Sequence, residues 1–234
     1  MIDQKAVEDS AQASPFKSAN DQLQSEIANR HRVEDALQKR VLALTEPLDP
    51  AAKIRFSDLF GIESIQRLQD QFSDTMGVAS LITEPDGTPI TKPSNFTRFC
   101  SEIIRNTELG RCNCFKSDAA LGVHCPSGPI MQPCLGGGLW DAGASITVGG
   151  KHIATWLIGQ VRNEAQNEEQ MLRYADKIGV AREPFRQALT EVPIMSTEHF
   201  QRTAQLLFSF AQELSNRAYQ NIQQARFINE RRLA

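Results

Sequence analysis

The sequence GPIMQPCLGGGLWDAGASITVGGKHIATWLIGQ, residues 128–160, decides the fold of this chain. Between Gly128 and Gly150 it holds one charged side chain, Asp141, although 23% of the whole chain is charged. We therefore expect this stretch to be buried. It also contains three consecutive glycines, which cannot fill a core and instead leave room for something else. This pattern predicts a pocket wall made of Gly136, Gly137 and Gly138.

The second half of the same stretch predicts a β-hairpin. Residues 144–148 and 152–158 are apolar segments, and Gly149-Gly150 between them is a two-residue turn that accepts positive φ. Further strands are predicted at residues 78–83, 88–91 and 129–133.

Apolar residues at helical spacing alternate with these strands. Ser94 can cap a helix with Phe96, Phe99, Cys100, Ile103 and Ile104 on its apolar face. Other helices are predicted over residues 65–76, 112–121, 164–178 and 183–190. The order of elements predicts an α+β fold, an antiparallel sheet with flanking helices.

Two helical segments with heptad spacing flank this unit. Leu23 to Leu44 shows a weak seam, consistent with a coiled coil or with a single amphipathic helix. From the N-cap Ser196 onward there is no Pro or Gly, and a parallel dimer seam is predicted at Leu207, Leu214, Ala218, Ala225 and Ile228. The predicted organisation is disorder over 1–17, a helical linker over 18–52, a globular domain over 53–215 and an exit helix over 216–234.

Composition narrows the class of protein. The net charge of -3 and pI of about 5.9 give no electrostatic footprint for nucleic acid. No apolar run is long enough to cross a bilayer, and the polar N-terminus does not resemble a signal peptide. We therefore expect a cytoplasmic protein with neither nucleic acid nor membrane as a partner.

All five cysteines fall between Cys100 and Cys134. Metal binding, with zinc or iron, is one interpretation of this clustering, and burial as small apolar side chains is the other. The candidate metal ligands are Cys100, Cys112, Cys125 and Cys134.

Catalytic motifs are missing from the sequence. His124 is the only histidine near the cysteines, and the glycine run is not followed by a helix, as a phosphate-binding loop would be. We therefore expect a protein that is not an enzyme.

Several short motifs occur together in one order over residues 99–160. These are Phe99-Cys100, the segment around Cys112 followed by Ser117-Asp118, the loop from Cys134 through Gly138-Leu139 to Asp141, and Gly159-Gln160. In this order they resemble the PocR sensory domain, over residues of about 55–215. The resemblance implies a PAS-like fold and a role in sensing simple hydrocarbon derivatives within a bacterial signal-transduction protein, such as a two-component system.

The resulting hypothesis is an input domain that binds a small organic ligand between the sheet and the helix of Phe96. The domain would act as a homodimer and pass its signal through the C-terminal helix to an output kinase or transcriptional regulator, in the same chain or another. The alternative is a cysteine-based metal or redox sensor. The expected ligand-binding residues are Phe96, Phe99, Cys100, Cys134, Gly136, Gly137, Gly138, Trp140, Asp141 and Trp156.

Two of these residues have a second interpretation. Trp156 alternates with apolar residues of its strand, a pattern that favours a core position. Asp141 can cap backbone amides of its own turn or meet a polar group of the ligand.

Overall fold

The computed structural model describes residues 22–34, 54–163 and 166–233, with side chains up to Gln224. The helices are α1 (residues 22–34), α2 (Phe56–Leu59), α3 (Ile62–Met76), α4 (Glu108–Leu121), α5 (Glu168–Ile178), α6 (Arg182–Thr190) and α7 (Thr197–Leu233). The strands are β1 (Ala79–Thr83), β2 (Ile130–Pro133), β3 (Trp140–Val148) and β4 (Lys151–Val161), and a π-helical turn spans Phe99–Ile104. Among the described helices, none combines the length and apolar character that a bilayer span requires.

The four strands form one antiparallel sheet in the order β1-β4-β3-β2. This confirms the predicted α+β class. The predicted hairpin is β3 and β4, whose turn residues Gly149 and Gly150 have φ of 56° and 81°, values that favour glycine. Both strands are longer than predicted, because Trp140–Gly143 pairs with the end of β4.

One face of the sheet packs against the C-terminal helix. Because side chains alternate along a strand, residues 142, 144, 146 and 148 of β3 share this face, and all four are buried. On α7 the matching buried residues are Leu207, Ala211, Leu214, Ala218 and Ile222. Further contact comes from a hydrogen bond between the Thr147 backbone N–H and Ser215 Oγ at 2.9 Å.

The heptad prediction therefore does not hold for three of its five seam positions. Leu207, Leu214 and Ala218 are buried within the chain's own core, so their side chains cannot pack against a second copy. Ala225 and Ile228 belong to α7, but their side chains lie outside the described residues. In α1, Leu23 and Ile27 are exposed, whereas Leu37, Val41 and Leu44 lie outside the described part of the chain.

The opposite face of the sheet carries the π-helical turn, α4, α5 and α6, which enclose a second apolar cluster. Gly143 of β3 lets α4 approach this face, since a Cβ there would lie 2.5 Å from the carbonyl oxygen of Leu121.

Two local predictions are wrong. Residues 88–91 form a single bridge between Thr83 and Pro89 rather than a strand, because Pro89 has no N–H to donate to a ladder. Ser94 does not cap a helix; its hydroxyl donates to Asp70 Oδ1 at 2.6 Å. The helix of Phe99 starts later, as the π-helical turn, and α4 starts at Glu108 because Thr107 is its N-cap.

Candidate ligand pocket

A cavity of about 40 Å³ lies between the sheet and the helical segment formed by the π-helical turn and α4. It has room for a few water-sized groups, since a cavity needs roughly 10–15 Å³ to hold one water molecule. Its apolar walls come from β1, β4, α4 and the loop before the π-helical turn. They are formed by Ala79, Leu81, Phe96, Leu121, Leu157 and Ile158.

The glycine loop, residues 134–139, closes one side of this cavity. It is held by two backbone hydrogen bonds, from Cys134 N to Leu139 O at 2.7 Å and from Gly138 N to Cys134 O at 2.9 Å. Gly136 lines the cavity, and a Cβ there would lie 2.7 Å from Cys114 Sγ. A side chain at this position would therefore clash with the thiol unless Cys114 moved, so Gly136 allows the loop to pack closely against α4.

Three thiols line the cavity, those of Cys100, Cys114 and Cys134. Burial raises the pKa of the Cys100 and Cys134 thiols far above the usual value, with a further contribution from Asp141. Burial also raises the pKa of Cys114 to about 11, against the opposing effect of Arg105. All three are therefore protonated at neutral pH and are poor nucleophiles.

The other two cysteines lie outside the cavity. Cys112 is exposed on α4, and Cys125 is partly exposed in the loop after it. The five cysteines are free thiols. Among the described residues, no three His, Cys, Asp or Glu side chains are arranged to hold a metal ion.

Asp141 is the acidic group at the base of β3. It is only partly exposed, and it lines the cavity. Its Oδ1 accepts a hydrogen bond from the backbone N–H of Gln160 at 2.8 Å. Burial raises the pKa of this carboxyl to about 7, while the bonds from Gln160 N–H and the Cys134 thiol act in the opposite direction.

Gly159 allows the backbone of β4 to pass close to the Asp141 carboxyl group. A Cβ on this residue would lie 2.0 Å from Asp141 Oδ1, so a glycine is required here. The next residue, Gln160, has φ of 59°, which is uncommon for a residue with a side chain. This conformation aims its N–H at Asp141, while its side-chain Oε1 accepts hydrogen bonds from Thr97 N and Thr97 Oγ1.

Arg105 and Asp118 form an ion pair in the cavity wall, with 3.1 Å between Arg105 Nη2 and Asp118 Oδ2. The guanidinium also lies 5.2 Å from the centre of the Phe96 ring, a cation–π contact. Burial raises the pKa of Asp118, and Arg105 opposes that shift. Arg105 Nε is buried and has no hydrogen-bond partner among the described residues.

A family model described as a sensory domain found in PocR matches residues 58–219, more than half of the chain. The chain belongs to the PocR sensory-domain family. No curated protein and no solved structure matches the chain. The family match confirms the resemblance on which the sequence-based hypothesis rests, and membership in a family of sensory domains indicates a sensory role.

Each of the four motifs contributes residues to the cavity wall, although Cys112 itself lies outside the cavity. Of the expected ligand-binding residues, five line the cavity, namely Phe96, Cys100, Cys134, Gly136 and Asp141. Phe99 is fully buried just behind them, where its ring packs edge-on against Phe185 with 4.8 Å between ring centres.

Three other expected residues, Gly137, Gly138 and Trp140, line a separate outer cleft of about 600 Å³ between the glycine loop and α5. Across this cleft Gln166 Nε2 donates a hydrogen bond to the carbonyl oxygen of Gly138. Cys134 lines both spaces and so forms part of the wall between them.

Trp156 is on the other face of the sheet. Its ring packs against Phe72 of α3 and Phe210 of α7, with ring centres 5.5 Å and 6.2 Å away. Its Nε1 donates a hydrogen bond to Ser80 Oγ at 2.8 Å. This position agrees with the core interpretation of its sequence pattern.

Sequence reasoning did not include several polar and apolar wall residues among the expected ligand contacts. Asp118 and Gln160 belong to PocR motifs, so their place in a motif could have marked them as candidate ligand contacts. Arg105 and Leu157 had no such signal, since an isolated arginine on a short helix and a leucine in a buried strand are ordinary residues at such positions.

Proposed function

We propose that this PocR domain binds a small hydrocarbon derivative in the cavity beside Asp141 and transmits its occupancy through α7. The observation that carries the proposal is the position of β3. One face of this strand contributes Asp141 to the cavity, and the other face packs on α7. A ligand that displaces β3 therefore acts directly on the helix that leaves the domain.

The lining supports a ligand with a short hydrocarbon part and one polar group. The walls are mainly aliphatic, and the polar groups are concentrated at Asp141, Gln160 and the Arg105–Asp118 pair. The small volume restricts the ligand to a few non-hydrogen atoms unless the walls move apart. Each Å² of apolar ligand surface that is removed from water contributes roughly 25 cal/mol to the free energy of binding.

Two contacts connect the sheet that carries the cavity to α7. Ser215 on the helix accepts the Thr147 N–H of β3 at 2.9 Å. Ser80 lines the cavity, and its hydroxyl is bonded to Trp156, whose ring packs on Phe210 of α7. Such coupling requires only that the ligand bind one arrangement of sheet and helix more tightly than another.

The proposal also includes two protein partners, an output domain and a second copy of this domain. The signal would reach an output kinase or transcriptional regulator, in the same chain or in another one. A second copy of the domain would pair through surfaces other than Leu207, Leu214 and Ala218, because these side chains are buried within the chain.

Thermal unfolding of the full chain tests the proposal. Short alcohols, aldehydes, carboxylic acids and amines are screened at millimolar concentration, and at least one is expected to raise the unfolding midpoint. A ligand at 100 times its Kd stabilises the folded state by about 2.7 kcal/mol.

A matched pair of variants locates the effect. Ala79→Leu places three extra carbon atoms in the cavity wall, whereas Ala119→Leu makes the same change on the exposed side of α4. Stabilisation should be lost in Ala79→Leu and kept in Ala119→Leu. A midpoint shift that survives Ala79→Leu, or a screen in which no compound stabilises the chain, contradicts the proposal.

A further inference from the structure

The charges in the cavity wall do not balance. Of the residues that line it, Arg105 is the one cation and Asp118 and Asp141 are the two carboxylic acids. Arg105 is already paired with Asp118 at 3.1 Å. Among the described lining residues, Asp141 therefore has no cation of its own.

The donors that Asp141 does have are neutral. They are the Gln160 N–H, at 2.8 Å from Oδ1, and the Cys134 thiol. The thiols of Cys100 and Cys114 also face this region and supply no positive charge. A buried carboxylate without a counter-ion is costly, so the group either holds a proton or pairs with a cation brought by the ligand.

Without a cation beside it, the Asp141 carboxyl favours the protonated form. Burial raises the pKa of Asp141 to about 7, and Asp118 adds to this effect while Arg105 opposes it. Near neutral pH the carboxyl is therefore close to its balance point. A bound cation would shift that balance toward the charged form.

An anionic ligand fits the same wall poorly. Arg105 Nε is buried without a hydrogen-bond partner in the part of the chain that the structure describes, but the guanidinium charge is already neutralised by Asp118. A carboxylate beside Arg105 would compete with Asp118 and add a further negative charge to a cavity that already contains Asp141.

We propose that the ligand of this cavity is a short primary alkylammonium ion, with its ammonium group on Asp141 and its chain against Leu81, Leu121 and Leu157. This inference rests on the proposed function, that the cavity binds a small hydrocarbon derivative. Its distinguishing consequence is proton release. Binding displaces the proton of Asp141, and the alkylammonium ion itself stays charged below about pH 9. Affinity therefore rises by about tenfold between pH 6 and pH 8.

Three probes of equal chain length and different charge test the inference on the full chain. These are propylammonium chloride, 1-propanol and sodium propionate, each assayed by the thermal-unfolding midpoint at pH 6, 7 and 8. Propylammonium should give the largest rise in midpoint, and the rise should be larger at pH 8 than at pH 6. This comparison needs no variant, so it does not depend on how a substitution affects folding.

Two variants then assign the effect to Asp141. Asp141→Asn keeps an acceptor for the Gln160 N–H but removes the charge, and it should abolish the propylammonium effect. Asp86→Asn removes one exposed charge in the turn after β1 and should leave the effect unchanged. Isothermal titration in two buffers of different ionisation enthalpy should show release of a proton on binding of propylammonium at pH 6.

Four results would overturn the inference. They are equal or greater stabilisation by propanol or propionate, an unchanged propylammonium effect in Asp141→Asn, the opposite pH trend, and no stabilisation by any of the three probes. If another compound from the wider screen stabilises the chain in an Ala79-dependent way, only the ammonium inference fails. If no compound does so, the proposed function fails with it.

Discussion

The carboxylate of Asp141 and the backbone N–H of Gln160 are joined by a hydrogen bond of 2.8 Å between β3 and the end of β4. Gln160 adopts φ of 59° to make this bond, and its side chain simultaneously holds Thr97 in the loop before the π-helical turn. The one charge of the apolar stretch is thus fixed in the cavity wall by its own sheet. Backbone strain of this kind often occurs at binding sites.

Stability should depend on pH through Asp141. Its pKa rises from the usual 3.8 to about 7, chiefly because of burial. The folded state therefore holds a proton that the unfolded chain has lost between these values, and stability falls as pH rises through this window. As the pH rises from 5 to 7, the unfolding free energy of the wild type should fall by about 2–3 kcal/mol relative to that of Asp141→Asn, at 1.36 kcal/mol per pH unit. Urea unfolding at pH 5, 6, 7 and 8 measures this difference.

The control for this prediction is Asp86→Asn. The Asp86 carboxylate is exposed, and a hydrogen bond from Thr88 N lowers its pKa, so it stays charged throughout this pH range. Its free energy of unfolding, plotted against pH, should run parallel to that of the wild type. A parallel curve for Asp141→Asn as well would show that Asp141 ionises without cost in the folded domain.

Gly159→Ala should be strongly destabilising. The new Cβ would lie 2.0 Å from Asp141 Oδ1 and 2.7 Å from Trp140 O, so either β3 or β4 must move. We expect a loss of at least about 2 kcal/mol, measured by urea unfolding. Gly128→Ala is the matched control, because a Cβ there meets nothing within 4 Å. Similar losses in both variants would contradict the proposed tight approach at Gly159.

Ser215→Ala should weaken the contact between sheet and exit helix. It removes the acceptor for Thr147 N–H and should cost about 1 kcal/mol in unfolding free energy. Ser209→Ala is the control on the same helix. Both serine hydroxyls donate to a carbonyl one turn earlier, but Ser209 is exposed and bonds only within α7. Equal effects would mean that the bond to β3 adds no stability.

Truncation of α7 should show where the domain ends. Removal of everything after Asn216 deletes Ala218 and Ile222, which are 0% and 1% exposed. Loss of these contacts should cost about 2–4 kcal/mol and lower the melting midpoint. Removal of residues after Gln224 spares both side chains and should leave stability nearly unchanged. A stable chain that ends at Asn216 would place the domain boundary before Ala218.

The hairpin and the glycine loop could be predicted because local sequence determines them. Gly149-Gly150 accepts the positive φ that a tight turn needs, and the segments on either side have apolar residues at strand spacing. Asp141 could be singled out as a candidate because it is the one charge in an apolar stretch.

The remaining features depend on packing between distant segments. Heptad spacing in α7 predicts an apolar stripe but does not say whether the chain's own sheet or a second copy covers it, and here Leu207 and Leu214 lie on the sheet. The pairing of Arg105 with Asp118 also requires that the π-helical turn and α4 fold back on each other. No local pattern specifies that contact.

A crystal structure of the full chain with its best stabilising compound tests the central claim most directly. The account predicts that the compound occupies the cavity between Leu121 and Leu157, with its polar group within hydrogen-bond distance of Asp141. A compound bound instead in the outer cleft beside Trp140 and Tyr174, with the inner cavity empty, would contradict it.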